Sequence, residues 1–416
     1  MTDCCSTPGL MPMNQAKETL LADITPINDI EEVSLNDCDF RICAENMVSP
    51  VNVPAHNNSA MDGYALCADF NQDNEIPKGS QFKLVGTAMA GQPFMGELTT
   101  GQCIRIMTGA VVPKSATTVE MQENVIVQGE SIITNQSISK VNHIRLAGED
   151  IAVGEKVFSQ GHKFTSIDIG LLASLGVSSV KVFRKPVIAV FSTGDELKSA
   201  SDTLSLGDIY ESNRHVLIAM LKRLHVEVLD LGIIADDKTK IREAFTIANT
   251  KADAVVSSGG VSVGDADYTK EVLNELGSIS FWKIAMKPGK PFAFGKLANS
   301  IFFGLPGNPV SASVTFHQLA IPAIQKMSGQ SLKKPIKLIA KTTDIIKKHP
   351  GRMDFQRGTA FTAENNTLNV TPLSHQGSGV LSSMSRANCY IILPQQHQGC
   401  NAGEYVEIEL FDHIIG

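Results

Sequence analysis

The feature that most constrains the fold is a regular alternation of strand-like and helix-like segments between residues 185 and 329. The strand-like runs are short and rich in valine, isoleucine, leucine and phenylalanine, and the helix-like segments repeat apolar residues at spacings of three and four. The pattern predicts strands over 187–191, 226–231, 254–257 and 301–303, and helices over 212–224, 239–248, 268–276 and onward from Pro309. Such alternation is typical of a doubly wound, mostly parallel sheet with helices on both faces.

Different sequence textures on either side of this α/β domain, which we assign to residues 185–329, predict further domains. Residues 51–140 carry short β-like runs separated by glycine, proline and asparagine, which indicates an inserted β domain. Residues 1–50 and 141–184 share a mixed texture and predict one discontinuous N-terminal domain. Residues 330–416 return to short β-like runs and predict a C-terminal β domain.

Local patterns outside the α/β domain allow more specific predictions. Residues 11–49 are expected to be helical, because apolar residues recur at 35, 38 and 42 after a possible cap at Ser34. A second helix is expected over 166–175, with Thr165 as its cap. In the β domain, strands are expected over 81–85, 103–107, 125–127 and 131–134.

Charge and composition exclude several classes of protein. The net charge of −7 lacks the basic footprint of a general nucleic-acid binder. No run approaches the roughly 18 consecutive apolar residues of a membrane span, and residues 1–20 lack the pattern of a secretion signal. We therefore expect a cytoplasmic protein with neither nucleic-acid nor membrane partners. None of the eight cysteines forms a C-x-x-C pair, which favours reduced packing thiols.

Three turns at predicted strand ends carry the residues best suited to binding a ligand, because open α/β sheets bind ligands at the carboxyl ends of their strands. These turns cover residues 192–196, 257–267 and 304–309. Glycine turns that run into helices leave backbone N–H groups free for a phosphate or another oxyanion. Asp265 stands where a P-loop requires lysine, and no G-x-G-x-x-G follows a strand. P-loop NTPases and nicotinamide-dinucleotide folds are therefore disfavoured.

Carboxylates beside these turns suggest that a cation takes part. They are Asp195, Glu196, Asp236, Asp265 and Asp267. Acidic side chains would repel an anion unless a cation intervened, and Mg²⁺ is held by one or two carboxylates together with substrate phosphates. For Asp265 the simpler interpretation is a favourable charge at a helix start.

Lys283 and Lys287 interrupt an apolar stretch rich in proline and glycine. If this stretch is extended, side chains four residues apart project to the same side of the chain. Two ammonium groups beside anion-binding turns would suit a doubly charged oxyanion. The alternative is that both are solvated loop lysines.

Polar turns in the two β domains are further candidates. In the inserted β domain, residues 57–65 contain Asp62, and residues 107–110 contain Thr108. Ordinary turn chemistry would explain both segments equally well. In the C-terminal domain, residues 351–358 and 375–379 are richer in arginine, serine and glycine than a surface connection requires.

Several of these motifs together resemble the MoeA family, the molybdopterin molybdenumtransferases, and the E domain of gephyrin. The similar runs are S-A-M-D-G-Y-A at 59–65, S-T-G-D-E-L at 192–197, the segment 257–267, K-P-G-K-P at 287–291 and L-P-G-N-P-V-S at 305–311. They occur in the family's order along nearly the whole chain.

The resemblance implies four domains, a homodimer, and an α/β domain similar in fold to molybdopterin adenylyltransferases. It implies that molybdate is inserted into the dithiolene of adenylylated molybdopterin with release of AMP, and that a divalent cation such as Mg²⁺ takes part. The implied pathway partners are molybdopterin adenylyltransferase and molybdopterin synthase.

The resemblance also implies roles for individual residues. The implied catalytic residues are Asp62, Thr108, Glu196, Asp236, Asp267, Lys283, Lys287, Arg357 and Ser378, of which Glu196, Asp236 and Asp267 would hold the cation. The lysines, Arg357 and Ser378 would hold molybdate. The residues expected to bind the pterin and AMP are Ser192, Thr193, Gly194, Gly259, Gly260, Ser262, Gly264, Pro288, Gly289, Pro306, Gly307 and Asn308.

Two alternatives stay open at this point. The α/β domain of a molybdopterin adenylyltransferase would look much the same, and a gephyrin-like scaffold would share the fold. The flanking domains speak against the first alternative, and the intact acids and lysines speak against a scaffold alone. Because Asp62 and Thr108 belong to a different domain from the other site residues, we expect a dimer in which one subunit's β domain covers the other subunit's cleft.

Overall fold

The computed structural model describes residues 10–260 and 268–416, and these form two compact units. The first unit takes in the described residues of 1–31, 40–44 and 182–416, and the second takes in 32–39 and 45–181. The second unit is therefore inserted into the sequence of the first. None of the described helices combines the length and the hydropathy needed to span a bilayer.

The helices are mostly short. In chain order they are α1 (Met13–Asp23), α2 (Ser166–Ser174), α3 (Asn213–Arg223), α4 (Lys238–Lys251), α5 (Tyr268–Leu276), α6 (Pro309–Thr315), α7 (Ile321–Met327) and α8 (Leu381–Arg386). A π-helical segment, Phe316–Ala320, joins α6 to α7, and two 3-10 turns cover Leu35–Asp37 and Gln122–Asn124.

The strands fall into an N-terminal and a C-terminal series. The first series is β1 (Ile30–Ser34), β2 (Met47–Val48), β3 (Asn58–Ser59), β4 (Gly63–Cys67), β5 (Glu75–Ile76), β6 (Gln81–Ala88), β7 (Gln102–Ile106), β8 (Thr118–Met121), β9 (Val125–Gln128), β10 (Ser131–Thr134), β11 (Ile138–Ser139), β12 (Ile144–Arg145), β13 (Lys156–Phe158) and β14 (Ser179–Phe183). The second is β15 (Val187–Thr193), β16 (Leu197–Lys198), β17 (Ile209–Tyr210), β18 (Glu227–Ile234), β19 (Ala254–Ser258), β20 (Gly277–Lys283), β21 (Met286–Lys287), β22 (Pro291–Leu297), β23 (Ile301–Leu305), β24 (Leu338–Thr342), β25 (Ile346–Lys347), β26 (Met353–Thr362), β27 (Leu368–Pro372), β28 (Cys389–Leu393), β29 (Gly399–Cys400) and β30 (Tyr405–Leu410).

The first unit is built around a six-stranded sheet of order β18-β15-β19-β23-β22-β20. The first four strands are parallel, β22 pairs antiparallel with β23, and β20 pairs antiparallel with β22. This arrangement confirms the predicted mostly parallel α/β domain. The four parallel strands end at one edge of the sheet, which is the edge where the predicted ligand turns begin.

Helices cover both faces of this sheet. Along β15, Ile188 and Val190 pack into a core with α3, α6 and α7, while Ala189 and Phe191 pack into a second core with α4 and α5. Successive side chains of a strand point to opposite faces, so a strand buried on both sides reads as a continuous apolar run. The sequence of β15 is such a run, and the doubly wound prediction is confirmed.

A second sheet of the first unit has the order β21-β26-β27-β24-β30-β28. Because β28 pairs with β26 as well as with β30, the strands from β26 to β28 close into a ring. The interior is filled by apolar side chains that include Val370, Ile391 and Ile408. The short strand β21 joins the edge of this ring and carries Lys287.

The second unit contains a six-stranded sheet of order β8-β4-β7-β6-β10-β9. Tyr64, Leu66 and Cys103 contribute to one core, and Ala65 and Ile104 contribute to the core on the opposite side. The strands predicted over 81–85, 103–107, 125–127 and 131–134 correspond to β6, β7, β9 and β10. Helix α2 begins as predicted at the Thr165 cap, which forms a capping box with Asp168.

The prediction of a helix throughout 11–49 is wrong. Helix α1 ends at Asp23, the strand β1 covers 30–34, and only a 3-10 turn follows. Ser34 donates its hydroxyl hydrogen bond to the Asp37 carboxylate and makes no cap contact with the backbone. Phe40 adopts a φ of 60°, which no α-helix accommodates. The apolar spacing of residues 35, 38 and 42 therefore reflects burial without helical geometry.

Candidate active site

The three predicted turns meet around one cleft of about 1000 Å³ in the first unit. Its wall includes Ser192, Thr193, Gly194, Glu196, Glu211, Asn213, Asp236, Ser258, Gly259, Gly260, Pro306, Gly307, Asn308 and Gly379. Since β15, β19 and β23 are adjacent parallel strands, their following turns lie side by side. Ten residues predicted from sequence to bind a ligand or a cation thus share one wall.

Glycine is required where the first two turns approach each other. Gly259 and Gly260 have φ values of +88° and +66°, which residues with a side chain rarely adopt. A Cβ on Gly259 would lie 2.7 Å from the Thr193 carbonyl oxygen, and one on Gly260 would lie 3.0 Å from the Thr193 hydroxyl. The backbone N–H of Gly259 also donates to Leu305 O at 3.2 Å. The second turn is therefore fixed against both of its neighbours.

Asn213, at the start of α3, joins the second turn to the third. Its Nδ2 donates to the Ser258 hydroxyl and to the Gly307 carbonyl oxygen, each at 2.7 Å. Helix α6 begins after Asn308 with Pro309 at its first position, as predicted. Asn308 makes no side-chain cap contact. Such helix starts offer N–H groups to an anion.

The buried carboxylate of Glu211 contacts the first of these turns. Its Oε1 accepts hydrogen bonds from the Ser192 hydroxyl at 3.0 Å and from the Arg214 backbone N–H at 2.7 Å. Its Oε2 has no hydrogen-bond partner among the described residues and lies 3.6 Å from Arg214 Nε. Arg214 also pairs with Asp230 on β18. Sequence reasoning missed Glu211, because the neighbouring helix start at Ser212-Asn213 does not indicate that the acid is buried against Ser192.

The acidic side of the cleft suits a cation. Partial burial raises the pKa of Asp236, and the negative charges of Asp195 and Glu196 raise it further. Asp195 Oδ1 also accepts from the Asp236 backbone N–H at 3.0 Å, which holds the acidic loops together. A nearby cation would reverse this effect by favouring the ionised carboxyl. Within the described ranges, no set of three or more His, Cys, Asp or Glu side chains forms a ready metal site.

Part of the predicted second turn lies outside the described residues. This part is the segment 261–267, which contains the predicted residues Ser262, Gly264, Asp265 and Asp267. Asp267 is one of the three predicted cation ligands, so Glu196 and Asp236 are the two that the structure places beside the cleft.

The two predicted lysines stand on strands of different sheets. Lys283 ends β20 and is exposed, whereas Lys287 lies on β21, where its Nζ is 3.4 Å from the buried Asp354 carboxylate. The Lys-Pro-Gly turn is packed against α6, because a Cβ on Gly289 would lie 2.2 Å from Thr315 Oγ1. Neither lysine belongs to the described cleft wall, but Pro291 from the same segment does.

Arg357 is fully buried and organises the loop that carries Ser378. Its guanidinium donates to Ser383 Oγ at 3.1 Å, to Phe355 O and His375 O at 3.4 Å, and to Gly377 O at 3.2 Å. Burial lowers the pKa of Arg357, and the Asp354 charge opposes that effect. Ser378 accepts at its backbone oxygen from Val310 N–H at 3.0 Å, so the loop contacts the start of α6.

In the second unit, the predicted Asp62 and Thr108 form a pair. Asp62 Oδ1 accepts from both the backbone N–H and the hydroxyl of Thr108, each at 2.7 Å. The backbone hydrogen bond, followed by the hydroxyl hydrogen bond, lowers the pKa of Asp62. The result is an exposed, ionised carboxylate in a fixed orientation.

Among the described cysteines, Cys67, Cys103, Cys389 and Cys400 form no disulfide. Cys38, Cys43, Cys103, Cys389 and Cys400 are buried. Burial raises the pKa of both Cys103 and Cys389 to about 12, so neither is a reactive thiolate at neutral pH. Cys4 and Cys5 lie outside the described residues.

Three family models together match most of the chain. The MoeA N-terminal region (domain I and II) matches residues 11–176, a probable molybdopterin binding domain matches 189–326, and the MoeA C-terminal region (domain IV) matches 340–411. The three matches follow one another along the chain in the order expected from its motifs.

Relatives are similar over almost the full chain. A molybdopterin molybdenumtransferase of Haemophilus influenzae is 43% identical, covering 98% of this chain and 100% of that protein. Gephyrin of Dictyostelium discoideum is 29% identical, covering 98% of this chain and 63% of that protein. The crystal structure of the molybdopterin biosynthesis moeA protein from Pyrococcus horikoshii superimposes with a TM-score of 0.83 at 30% identity, covering 97% of this chain and 100% of that one.

Proposed function

The chain belongs to the MoeA family of molybdopterin molybdenumtransferases, and we propose that it inserts molybdate into adenylylated molybdopterin with release of AMP. It is thus a transferase of molybdenum cofactor biosynthesis. One observation carries the proposal: a single cleft combines three turns at adjacent strand ends with the carboxylates Glu196 and Asp236. A substrate that is an anion and uses a cation accounts for both features.

The turns would hold the two phosphate groups of the substrate. The turns at 258–260 and 306–308 line the cleft at the strand ends, where phosphate binds in open α/β sheets. Asn213 and Glu211 keep these turns in place before the substrate arrives. Preorganised donors of this kind lower the cost of stabilising charge that develops on the departing AMP.

Glu196 and Asp236 fit a divalent cation such as Mg²⁺, with Asp267 as the third ligand expected from the sequence. The raised pKa of Asp236 supports this assignment, because two neighbouring carboxylates disfavour its ionised form until positive charge is supplied. When bound, the cation would polarise the phosphoryl group and offset negative charge on AMP.

Molybdate is a tetrahedral dianion, and we assign it to Lys283, Lys287 and the Ser378 loop. Lys287 has the partly exposed ammonium group that such an anion needs. Arg357 contributes by fixing the loop through its carbonyl contacts, so we assign it a positioning role. The pterin and dithiolene would then lie between this group and the phosphate turns, beside Pro288 and Gly289.

The remaining parts of the proposal concern assembly and location. We propose a homodimer in which Asp62 and Thr108 serve catalysis, a four-domain organisation with the boundaries predicted from the sequence, and action in the cytoplasm. A molybdopterin adenylyltransferase would supply the substrate, downstream of molybdopterin synthase.

The deciding experiment measures the release of AMP. The full-length protein is given adenylylated molybdopterin, molybdate and Mg²⁺, and AMP release is measured together with molybdenum retained on the pterin. One AMP per molybdenum inserted supports the proposal. Pyrophosphate release from ATP and molybdopterin would instead identify an adenylyltransferase, and neither product would favour a gephyrin-like scaffold.

Two variants test the residue assignments within the same assay. Asp236→Asn should abolish AMP release because the cation loses a ligand. Lys287→Ala should weaken molybdate insertion more than pterin binding. Near-normal turnover of the first variant would refute the cation site, and equal losses in the second would assign Lys287 to the pterin.

A further inference from the structure

We propose that Asp354 sets the oxyanion affinity of the site by competing with the oxyanion for Lys287. This inference rests on the proposed function, since it assumes that Lys287 binds molybdate. Asp354 is not one of the site residues predicted from the sequence. In this arrangement Lys287 pairs with Asp354 while no oxyanion is bound. When an oxyanion binds, the Lys287 ammonium group pairs with the oxyanion instead.

The backbone places the two side chains opposite each other. Strand β21 pairs in parallel with β26, and Lys287 is registered against Asp354. The Asp354 side chain is only 3% exposed, whereas that of Lys287 is 44% exposed. The acid is therefore fixed in the protein, and the ammonium group stands between it and solvent.

The contact between the two side chains is long, so Lys287 can exchange Asp354 for another partner. Lys287 Nζ lies 3.4 Å from Asp354 Oδ2, and strong charge-assisted hydrogen bonds are about 2.7–2.9 Å. A dianion with several acceptor oxygens can offer Lys287 a shorter contact. The lysine thus has a weak partner that it can leave.

Asp354 keeps other support when Lys287 leaves. Gln356 Nε2 donates to the same Oδ2 at 3.1 Å. The Asp354 charge also acts on the buried cations Lys348 and Arg357 and favours their charged forms. These groups limit the penalty of leaving a buried carboxylate without a close cation.

The other buried cations cannot take over the role of Lys287. Lys348 Nζ donates to the carbonyl oxygens of His349, Gln395 and His397 at 3.3, 3.1 and 3.0 Å. Arg357 is committed to Ser383 and to the carbonyls of the 375–377 loop. Among these three cations, Lys287 has the most exposed side chain, at 44%, and Asp354 is the carboxylate paired with it.

The proposal predicts that a variant without the Asp354 charge binds molybdate more tightly than the parent. A carboxylate beside an anion site repels the anion and withholds the lysine, so removal of its charge should strengthen binding. A residue needed only for packing would have the opposite effect, because loss of structure weakens binding. Affinity for molybdate therefore separates the two roles.

The experiment measures molybdate binding to the full-length protein by equilibrium dialysis, with molybdenum quantified by mass spectrometry. Asp354→Asn should lower the Kd for molybdate about tenfold. Lys287→Ala should raise it at least about tenfold, and the double variant should match Lys287→Ala, because the gain requires the lysine. Circular dichroism and thermal melts confirm that each variant is folded.

If Asp354→Asn does not fold, a second variant, for which we expect the opposite change in Kd, tests the proposal. Gln356→Met removes the other close donor to Asp354, so Lys287 is held more tightly and the Kd should rise several-fold.

The outcomes distinguish this inference from the proposed function. If Lys287→Ala loses affinity while Asp354→Asn binds equally or more weakly, the role of Asp354 is overturned and the proposed function stands. If Lys287→Ala binds molybdate normally, the oxyanion assignment itself fails, and the inference fails with it. Tighter binding by Asp354→Asn that persists in the double variant would also overturn the competition for Lys287.

Discussion

At the scale of single residues, the glycines of the second turn show how far sequence reasoning reaches. Their position after a buried strand predicted a ligand turn, and the structure places them in the cleft wall. The reason that they must be glycine, a positive φ together with close contact to Thr193, depends on packing between two turns. That contact brings together residues more than sixty positions apart, so no local pattern reveals it.

Gly260→Ala should therefore damage both stability and substrate binding. The new methyl group would meet Thr269 Oγ1 at 2.3 Å in a backbone conformation with φ of +66°. We expect a loss of about 2–3 kcal/mol in the free energy of unfolding, measured by urea denaturation. Gly307→Ala is the matched control, because a Cβ there meets nothing within 4 Å. The control should stay within about 0.5 kcal/mol of the parent; equal effects would refute the steric argument.

Glu211 shows what sequence reasoning misses at this scale. Its neighbours Ser212 and Asn213 mark a helix start, but nothing local indicates that the acid turns inward to meet Ser192. Ser192 was predicted to bind the pterin or AMP, and in the structure its hydroxyl donates to Glu211. Buried polar groups find their partners through the tertiary fold.

At the scale of elements, the α/β alternation was predicted closely because each element buries a distinct apolar face. The sequence did not predict that β22 and β20 extend the sheet through two antiparallel pairings, since strand direction depends on which neighbour pairs. The same limit explains the lysines. Lys283 and Lys287 were expected along one extended segment, but the chain leaves one sheet after Lys283 and joins another at Met286.

The loop carrying Ser378 depends on the buried Arg357. Arg357→Lys cannot reproduce the forked set of donors that contacts Ser383 and the loop carbonyls. We expect the variant to lose about 2–3 kcal/mol of stability, to show faster amide exchange at 375–378, and to insert molybdate more slowly. Arg386→Lys, at an exposed position of α8, should leave all three unchanged. Slow exchange of the loop in Arg357→Lys would contradict the positioning role.

The end of the chain contacts the π-helical segment through Asp412 and His317. Burial alone would raise the pKa of Asp412, but hydrogen bonding to His317 and that residue's charge, with backbone N–H groups of Ile414 and Ile415, hold it at about 2. This is below the ordinary value of 3.8, so the carboxylate stabilises the fold above pH 4 and loses its effect as the pH falls towards 2.

Asp412→Asn should therefore be less stable than the parent at neutral pH, and the difference should shrink as the pH falls below 4. Because the Asp412 side chain is 45% exposed, we expect a difference of only about 1 kcal/mol at pH 7. Urea denaturation at pH 7, 4 and 2.5 would measure it. Asp73→Asn, at an exposed position of the second unit, is the control and should show no such convergence. A difference at pH 2.5 as large as that at pH 7 would assign the effect to packing.

At the scale of the whole molecule, the residues expected to act together are divided between two units. The cleft, both lysines and Arg357 belong to the first unit, and Asp62 and Thr108 belong to the second. The order of motifs predicted this division, because the S-A-M-D-G-Y-A and M-T-G-A runs fall in the inserted β segment. How copies of the chain combine these groups depends on an interface that leaves no periodic mark in the sequence, so it was expected only from the family resemblance.

Mixing two inactive variants tests whether catalysis is shared between subunits. Asp62→Asn leaves the cleft intact, and Asp236→Asn leaves the Asp62–Thr108 pair intact. If each cleft is completed by the other subunit, a mixed dimer contains one cleft with both groups unaltered. Random reassortment of equal amounts should then restore about a quarter of the parent activity, because half of the dimers are mixed and each has one working cleft.

The matched control mixes Asp236→Asn with Glu196→Gln, two variants altered in the same cleft. No activity should return there, because every cleft keeps one damaged acid. AMP release after partial denaturation, mixing and refolding would be the measurement, with sedimentation confirming that dimers re-form. If each chain completes its own cleft, the Asp62→Asn and Asp236→Asn mixture also stays inactive, because neither chain holds both acids. A fully active monomer in sedimentation would exclude the shared arrangement directly, since a monomer has no second subunit to contribute Asp62.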